Sequence, residues 1–411
     1  MPMEPGFLDM TIHRIVEEYP ATLPVFEDHD LGIFADQEVR ESFGAVVRLR
    51  SVLRERRIDA GPFCRRLAEA AGLTGGGAAR AVEETLPGAG TVNLFALLPC
   101  PLKVPVEEAF HRFLAARPAG ARPFSFCIEG NANNQVDYYD YVAHFETIDE
   151  LPDIIVTPGF NGFFHKGFVE RFIRPGHFQA VADFAGDRHL AALGVLDPER
   201  HYTMLCMNLL VLVVDRGRLG DRPVPRRWRD LLAPELEKSV AIRGNRDGSF
   251  CETLLLAVYQ AFGMEGVRKL GRSTLHGWHP SQMVKAAGSG RDDAPAVSAM
   301  PLFFANAIRN REDVEIVWPA DGALVSPVTM LVKRERREEL ADLLRFLTGP
   351  EVARISAGAF FPAVHPEVDN GIPDDARFFW IGWEFVKEHD IEALLAEIDG
   401  EFRRAFRGEG A

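Results

Sequence analysis

Apolar positions along the chain follow two different periods. Near the start they recur three and four apart: Ile12, Ile15, Val16 and Tyr19 mark one face of a helix that Pro20 ends. The same spacing predicts helices over 46–56 and 61–71. From residue 91 the period changes. Mostly apolar runs at 91–98, 123–128 and 153–157 close on turn residues, with a helical stretch over 106–116 between the first two. A second block repeats the alternation: strands at 204–214, 239–242, 296–299 and 314–318, and a helix over 250–262. Leu340, Leu343, Leu344 and Leu347 then line a helix that Gly349-Pro350 stops, and a last amphipathic helix spans 391–406. Strands alternating with helices predict parallel sheets wrapped by helices, and runs apolar throughout predict strands buried on both faces. The chain is expected to be α/β, two lobes with a cleft between them, behind a small all-α unit. Leu86-Pro87-Gly88-Ala89-Gly90 marks the boundary. The helical unit takes 1–88 and the two-lobe unit 89–411, with a first lobe over 89–203 plus a return segment 320–411, and a second lobe over 204–319.

Charge narrows the partners. Lys+Arg number 46 and Asp+Glu 60, a net charge of −14 over 411 residues. That argues against nucleic acid and against an anionic membrane surface. The most apolar stretch, 204–214, falls short of the ~20 residues of a bilayer span, so no membrane insertion is expected. The first residues carry neither a basic nor an apolar leader region, which predicts a cytoplasmic location. Five scattered cysteines with no C-x-x-C fit a reducing compartment.

Ligands of parallel sheets sit beyond the carboxyl ends of the strands. The loops there hold Cys100 and Lys103; Glu129 and Asn131; Thr157, Gly159 and Asn161; Gly248, Ser249 and Cys251; and Phe303 and Phe304. Turn chemistry accounts for such residues as well as ligand binding does. Ser249, before an apolar helix, reads either as an anion site built on free N–H groups or as a plain N-cap. Cys251 in the first helical turn, and Cys100 with Lys103 nearby, read either as reactive thiols or as small buried hydrophobes. His276 and His279 lack a third metal ligand. The run 333–339 alternates in sign and reads as a solvated helix face. P-loop, dinucleotide, zinc-protease, EF-hand and nucleophile-elbow patterns are all missing. No cofactor and no metal is expected.

Two stretches carry a family resemblance. Pro225-x-x-Trp228-x-Asp230-Leu231, after the long strand, and Trp318-Pro319-x-Asp321-Gly322-Ala323 resemble segments of type II periplasmic solute-binding proteins, the binding components of ABC importers for iron(III), putrescine and thiamine. The resemblance covers roughly 91–370. It implies two α/β lobes joined by crossing strands and closing on a solute about a hinge. Ferric-binding members use a tyrosine pair where this chain has Phe303-Phe304, so the resemblance does not extend to that iron chemistry. Residues 9–70 resemble a small helical domain of unknown function (DUF1858-like) that occurs alone and ahead of iron–sulfur repair and redox proteins. Some of its relatives carry cysteines after the glycine matching Gly32; here Ile33-Phe34 follow, and no metal is inferred there.

The leading expectation is a binding protein for a small polar or anionic solute, with a protein partner reached through the helical unit. Ser249 and nearby N–H groups would hold charge. Glu129, Asn131, Thr157 and Asn161 would donate or accept hydrogen bonds, and Phe303 and Phe304 would form an apolar wall. Enzymatic activity is less expected than binding. The rivals are an enzyme using Cys100 or Cys251 as nucleophile, and a soft-metal carrier using the same two thiols.

Overall fold

The computed structural model describes residues 6–29, 31–73, 93–118, 121, 124–131, 138–182, 186, 188–244, 250–309 and 311–409. Ten strands form one sheet: β1 (Leu94–Leu98), β2 (Phe126–Gly130), β3 (Ile154–Pro158), β4 (Thr203–Asp215), β5 (Val240–Arg243), β6 (Thr274–Trp278), β7 (Val297–Pro301), β8 (Val314–Val317), β9 (Ala323–Val332) and β10 (Phe378–Phe379). The order is β2-β1-β3-β9-β4-β7-β5-β6, with β8 on β4 and β10 on β9. The parallel expectation holds within each lobe: β1 runs parallel to β2 and β3, and β5 runs parallel to β6 and β7. It fails at the centre, where β9 is antiparallel to β3 and β4, and β4 is antiparallel to β7 and β8. The reason is that β4 and β9 each run through both halves. Residues 203–210 of β4 pair with β9, and residues 210–214 pair with β7. A strand that leaves one lobe for the other, and its return, must run in opposite directions.

The seven strands that the apolar pattern predicts match within three residues; β6, β9 and β10 were not predicted. The helix Cys100–Ala116 begins six residues before the periodic stretch: Pro101 sits in its first turn, where no backbone N–H donor is needed, while Pro105 lies inside the helix and removes one i→i−4 bond. The expected stop at Phe262 is present as a break rather than an end. Gly263 takes φ 63°, ψ −169° inside Glu252–Ser273, and a second helical segment follows. The run after Lys333 is only a short turn, Arg334–Arg336, and Lys333 itself is 3% exposed. Its Nζ lies 3.5 Å from Asp153 Oδ1, so this position is not the solvated face that its charge pattern suggested.

The two resemblance motifs meet in space. Trp228 Nε1 donates to the Gly322 carbonyl at 2.8 Å, and the Trp228 amide reaches the Asp321 carboxylate at 3.1 Å. The helix Ile391–Arg407, which the sequence placed with the first lobe, packs on Glu252–Ser273 of the second. A Cβ on Gly271 would stand 2.6 Å from the Phe402 carbonyl oxygen.

Helices Ile12–Glu18, Leu23–Glu27, Gln37–Glu41, Leu49–Glu55 and Ala60–Ala70 form the N-terminal unit. Thr11, Asp36 and Asp59 cap three of them. Phe34, after Gly32-Ile33, is fully buried in its core. The unit is docked on the first lobe. Ser51 Oγ donates to the buried Glu150 at 3.1 Å, Arg54 meets Glu146 at 2.8 Å, and Phe43 stands edge-on to Phe95 of β1. The glycines 75–77 lie outside the described residues. Among the described residues no helix is long and apolar enough to cross a membrane.

Candidate functional site

A cleft of about 790 Å³ opens where strands of both lobes end. Pro99 and Cys100 follow β1, Asn131 follows β2, and Gly159 follows β3. Across from them, Arg243 ends β5, Trp278 ends β6, and Pro301 ends β7. Asn208 of β4 and Ser326 of β9 form the floor, and Phe361 comes from the return segment. The carboxyl ends of the strands are therefore the site, as the topology demands.

Local structure positions each group. Gly159 takes φ +74° and donates its N–H to the Pro327 carbonyl at 2.7 Å, which joins the first-lobe loop to a crossing strand. A Cβ there would stand 3.7 Å from Ser326 Oγ and 4.0 Å from Glu252 Oε2, so all three converge. Phe250 packs beneath the second-lobe wall. A Cβ at Gly244 or Gly277 would be 2.5 or 2.6 Å from its ring, so both positions are restricted to glycine. His279 caps the helix Pro280–Ala286, its Nδ1 accepting from the Ser281 amide, and Gln282 returns a bond to the His279 amide. Trp278 stacks on His276 with ring centroids 4.0 Å apart.

Charge in the cleft belongs to Arg243 and Glu252. Burial works against the Arg243 charge, but Cys251 and Glu252 outweigh it and hold the guanidinium's proton more firmly than usual. The guanidinium also lies beside the Cys251 thiol. Burial pushes the Glu252 carboxyl above its usual range; Arg243 offsets part of that, and Asp399 adds to it. Tyr139, whose hydroxyl donates to Asn131 at 2.6 Å, is pushed up by burial as well.

The sequence-derived candidates divide. Cys100, Asn131, Gly159, Cys251 and Phe304 line the cleft. Cys100 is exposed at the start of its helix, and Cys251 is buried at the N-cap of Glu252–Ser273. Lys103, Glu129, Thr157, Asn161 and Phe303 do not line it. Lys103 Nζ pairs with Glu107 at 3.0 Å, one turn along the helix. Glu129 lies near Lys103 and Glu38, with its carboxyl pushed up by burial. Thr157 is 2% exposed within β3. Asn161 caps its own turn, accepting from the Phe163 amide and donating to the Pro158 carbonyl, both at 3.1 Å. Phe303 packs on an apolar cluster that includes Leu98 and Leu102 of the first lobe. Gly248 and Ser249 lie outside the described residues.

Sequence reasoning missed Arg243, Glu252, Trp278, His279, Gln282, Asn208 and Ser326. Arg243 was legible as the residue that follows the predicted strand 239–242, the position already used for the other loops; Trp278 ends β6, a strand the apolar pattern did not predict. Asn208 and Ser326 sit inside apolar runs, where only the path of the strand across the floor shows what they face. The described lining holds Phe304 and no tyrosine. Among the described residues no group of three or more His, Cys, Asp or Glu could hold a metal ion.

A family model described as bacterial extracellular solute-binding protein matches residues 149–389, more than half of the chain. No curated protein matches. Solved structures of similar fold include the apo ferric ion-binding protein A of Pasteurella haemolytica. It is 14% identical, covers 76% of this chain and 98% of its own, and has a TM-score of 0.53. The iron- and citrate-bound protein of Trichodesmium is 15% identical over 77% and 99%, TM-score 0.53. The ferric binding protein of Campylobacter jejuni is 11% identical over 76% and 99%, TM-score 0.55. At these identities the likeness is one of fold. None of these comparisons supports the DUF1858-like resemblance of the N-terminal helices.

Proposed function

The chain belongs to the bacterial extracellular solute-binding proteins, and from that premise we propose that its two lobes close on a small polar or anionic solute held between them. One observation carries this reading: the cleft draws polar groups from both lobes and from both crossing strands. A solute that touches both sides stabilises the closed arrangement over the open one, and β4 and β9 are the segments that must bend. Cys100, Asn131, Gly159, Cys251 and Phe304 are the sequence-derived residues that this reading keeps, together with Arg243 and Glu252.

The ferric-binding neighbours raise iron as a cargo. A tyrosine pair is not the means we adopt, because Phe304 offers a phenyl face where a hard cation needs oxygen. The expected cytoplasmic location finds no support: the family is described as extracellular.

Native mass spectrometry of freshly purified protein, before and after denaturation, tests the reading. The expected result is a small polar or anionic mass released on unfolding. The reading falls if no solute is retained and no polar metabolite fraction slows hydrogen exchange along β4 and β9.

A further inference from the structure

Arg243 and Glu252 stand in the same cleft with opposite charges, and among the described residues neither makes an ion pair within 4.0 Å. Elsewhere in the chain buried and partly buried charges meet a partner: Lys333 with Asp153 and Lys387 with Asp197 as ion pairs, Asp215 and Asp321 through backbone amides. Both residues are only partly exposed, and both line the cleft. Each charge therefore sits in a partly desolvated place, attracted by the other but with no contact that closes the pair. A charge compensated only at a distance is unfavourable there until a direct partner arrives.

The surroundings of the two groups differ. Glu252 Oε2 and Ser326 Oγ converge on the same point beside Gly159, offering two acceptors. Trp278, on the same lining, is the β6 neighbour of Arg243, with its ring stacked on His276. Arg243 presents only donors, and its guanidinium fork suits a carboxylate or phosphonate.

We propose that the solute is a short zwitterion, its anionic end on the Arg243 guanidinium and its cationic end on the Glu252 carboxylate. This rests on the cleft being the solute site. A solute with one charge would satisfy one side chain and leave the other enclosed and unpaired after closure. A zwitterion of matching length satisfies both, and it draws Glu252 of the second lobe and Gly159 of the first around the same group.

The test is titration calorimetry of the full chain with glycine, β-alanine, 4-aminobutyrate and 5-aminovalerate. Each is set against the carboxylate and the alkylamine of the same length. The expected result is one amino acid that binds at least about tenfold more tightly than either matched ion. In Glu252→Gln that advantage should fall to about threefold or less, with the carboxylate unchanged. Equal affinity for a zwitterion and its matched carboxylate overturns the proposal, as does a Glu252→Gln variant that keeps the full advantage. Silence from every probe overturns it too. Should the variant fail to fold, the mass of the released native solute decides instead. A solute carrying charge of one sign, or none, ends the zwitterion and leaves the solute-binding reading standing. A protein that retains no solute and closes on nothing ends both.

Discussion

The indole of Trp228 donates to the Gly322 carbonyl across 94 positions of sequence, while its backbone amide meets Asp321. Gly322 takes φ +113°, and a Cβ there would stand 2.4 Å from the Phe378 carbonyl carbon of β10. One contact thus ties the second-lobe turn, the start of the return strand and the C-terminal strand together. Trp228→Phe keeps the packing and orphans a buried carbonyl, so it should cost about 1–3 kcal/mol. A lower urea midpoint at unchanged slope would show this. Gly322→Ala should cost more, because strain and a backbone collision act together.

The Lys333–Asp153 pair predicts an asymmetry. Asp153 also accepts from Asn93 at 2.8 Å and faces Arg336 at 3.3 Å. Removing the acid leaves the Lys333 ammonium buried and alone; removing the lysine leaves the acid with two partners. Asp153→Ala should therefore cost about 3–5 kcal/mol, and Lys333→Met clearly less. Equal losses in denaturant titrations would refute that ordering.

Asp197 predicts a pH dependence. Burial raises its carboxyl, but the Lys387 bond at 2.5 Å and the amides of Tyr202 and His201 overcome this and hold it below the usual carboxylate range. A depressed acid stabilises the fold above its unfolded value, about 3.9, and that contribution is lost as pH falls through the folded value. Asp197→Asn should cost about 2–3 kcal/mol at neutral pH. The variant's loss of melting temperature between pH 7 and pH 3 should be smaller than the parent's.

Glu252 carries the opposite sign. Its carboxyl is raised by burial, so the unliganded fold is most favoured below the unfolded value and loses stability as pH rises through the folded one. Glu252→Gln removes the charge without changing shape. Its melting temperature at pH 7 should match or exceed the parent's, by about 2 °C at most, even where solute affinity is lost. A lower melting temperature would mark Glu252 as structural.

Docking of the N-terminal unit predicts one unfolding transition. Glu150 is 2% exposed and accepts from the Glu146 and Thr147 amides as well as from Ser51. Glu150→Ala should lower the transition of the whole chain, by about 2–4 kcal/mol. Two separate calorimetric transitions in the parent would show that the helices fold apart from the first lobe.

Much of the fold was legible because its signals are local. Burial on both faces leaves strands apolar throughout, as in Thr203–Asp215, which is almost fully buried; the equally buried Ala323–Val332 was not recognised. Gly263 and Gly349-Pro350 punctuate helices through their own backbone limits. Lys333 of the charged run 333–339 misled for the same reason: charge alternation speaks of neighbours in sequence, while Asp153, which draws Lys333 inward, lies 180 positions away.

The sequence by itself determined the α/β class, the helical N-terminal unit, most strand ends and the loops among which a site had to lie, since periodicity and turn chemistry are written within a few residues. Tertiary structure alone decided the antiparallel centre of the sheet, the docking of the first helices and the choice among candidates. Cys100 and Gly159 reached the cleft, whereas Asn161 spent its amide on its own turn and Lys103 turned to Glu107. Glu252 emerged only there. Whether a polar side chain is free for a ligand depends on which partners the fold brings within about 3 Å of it, and those partners come from distant parts of the chain.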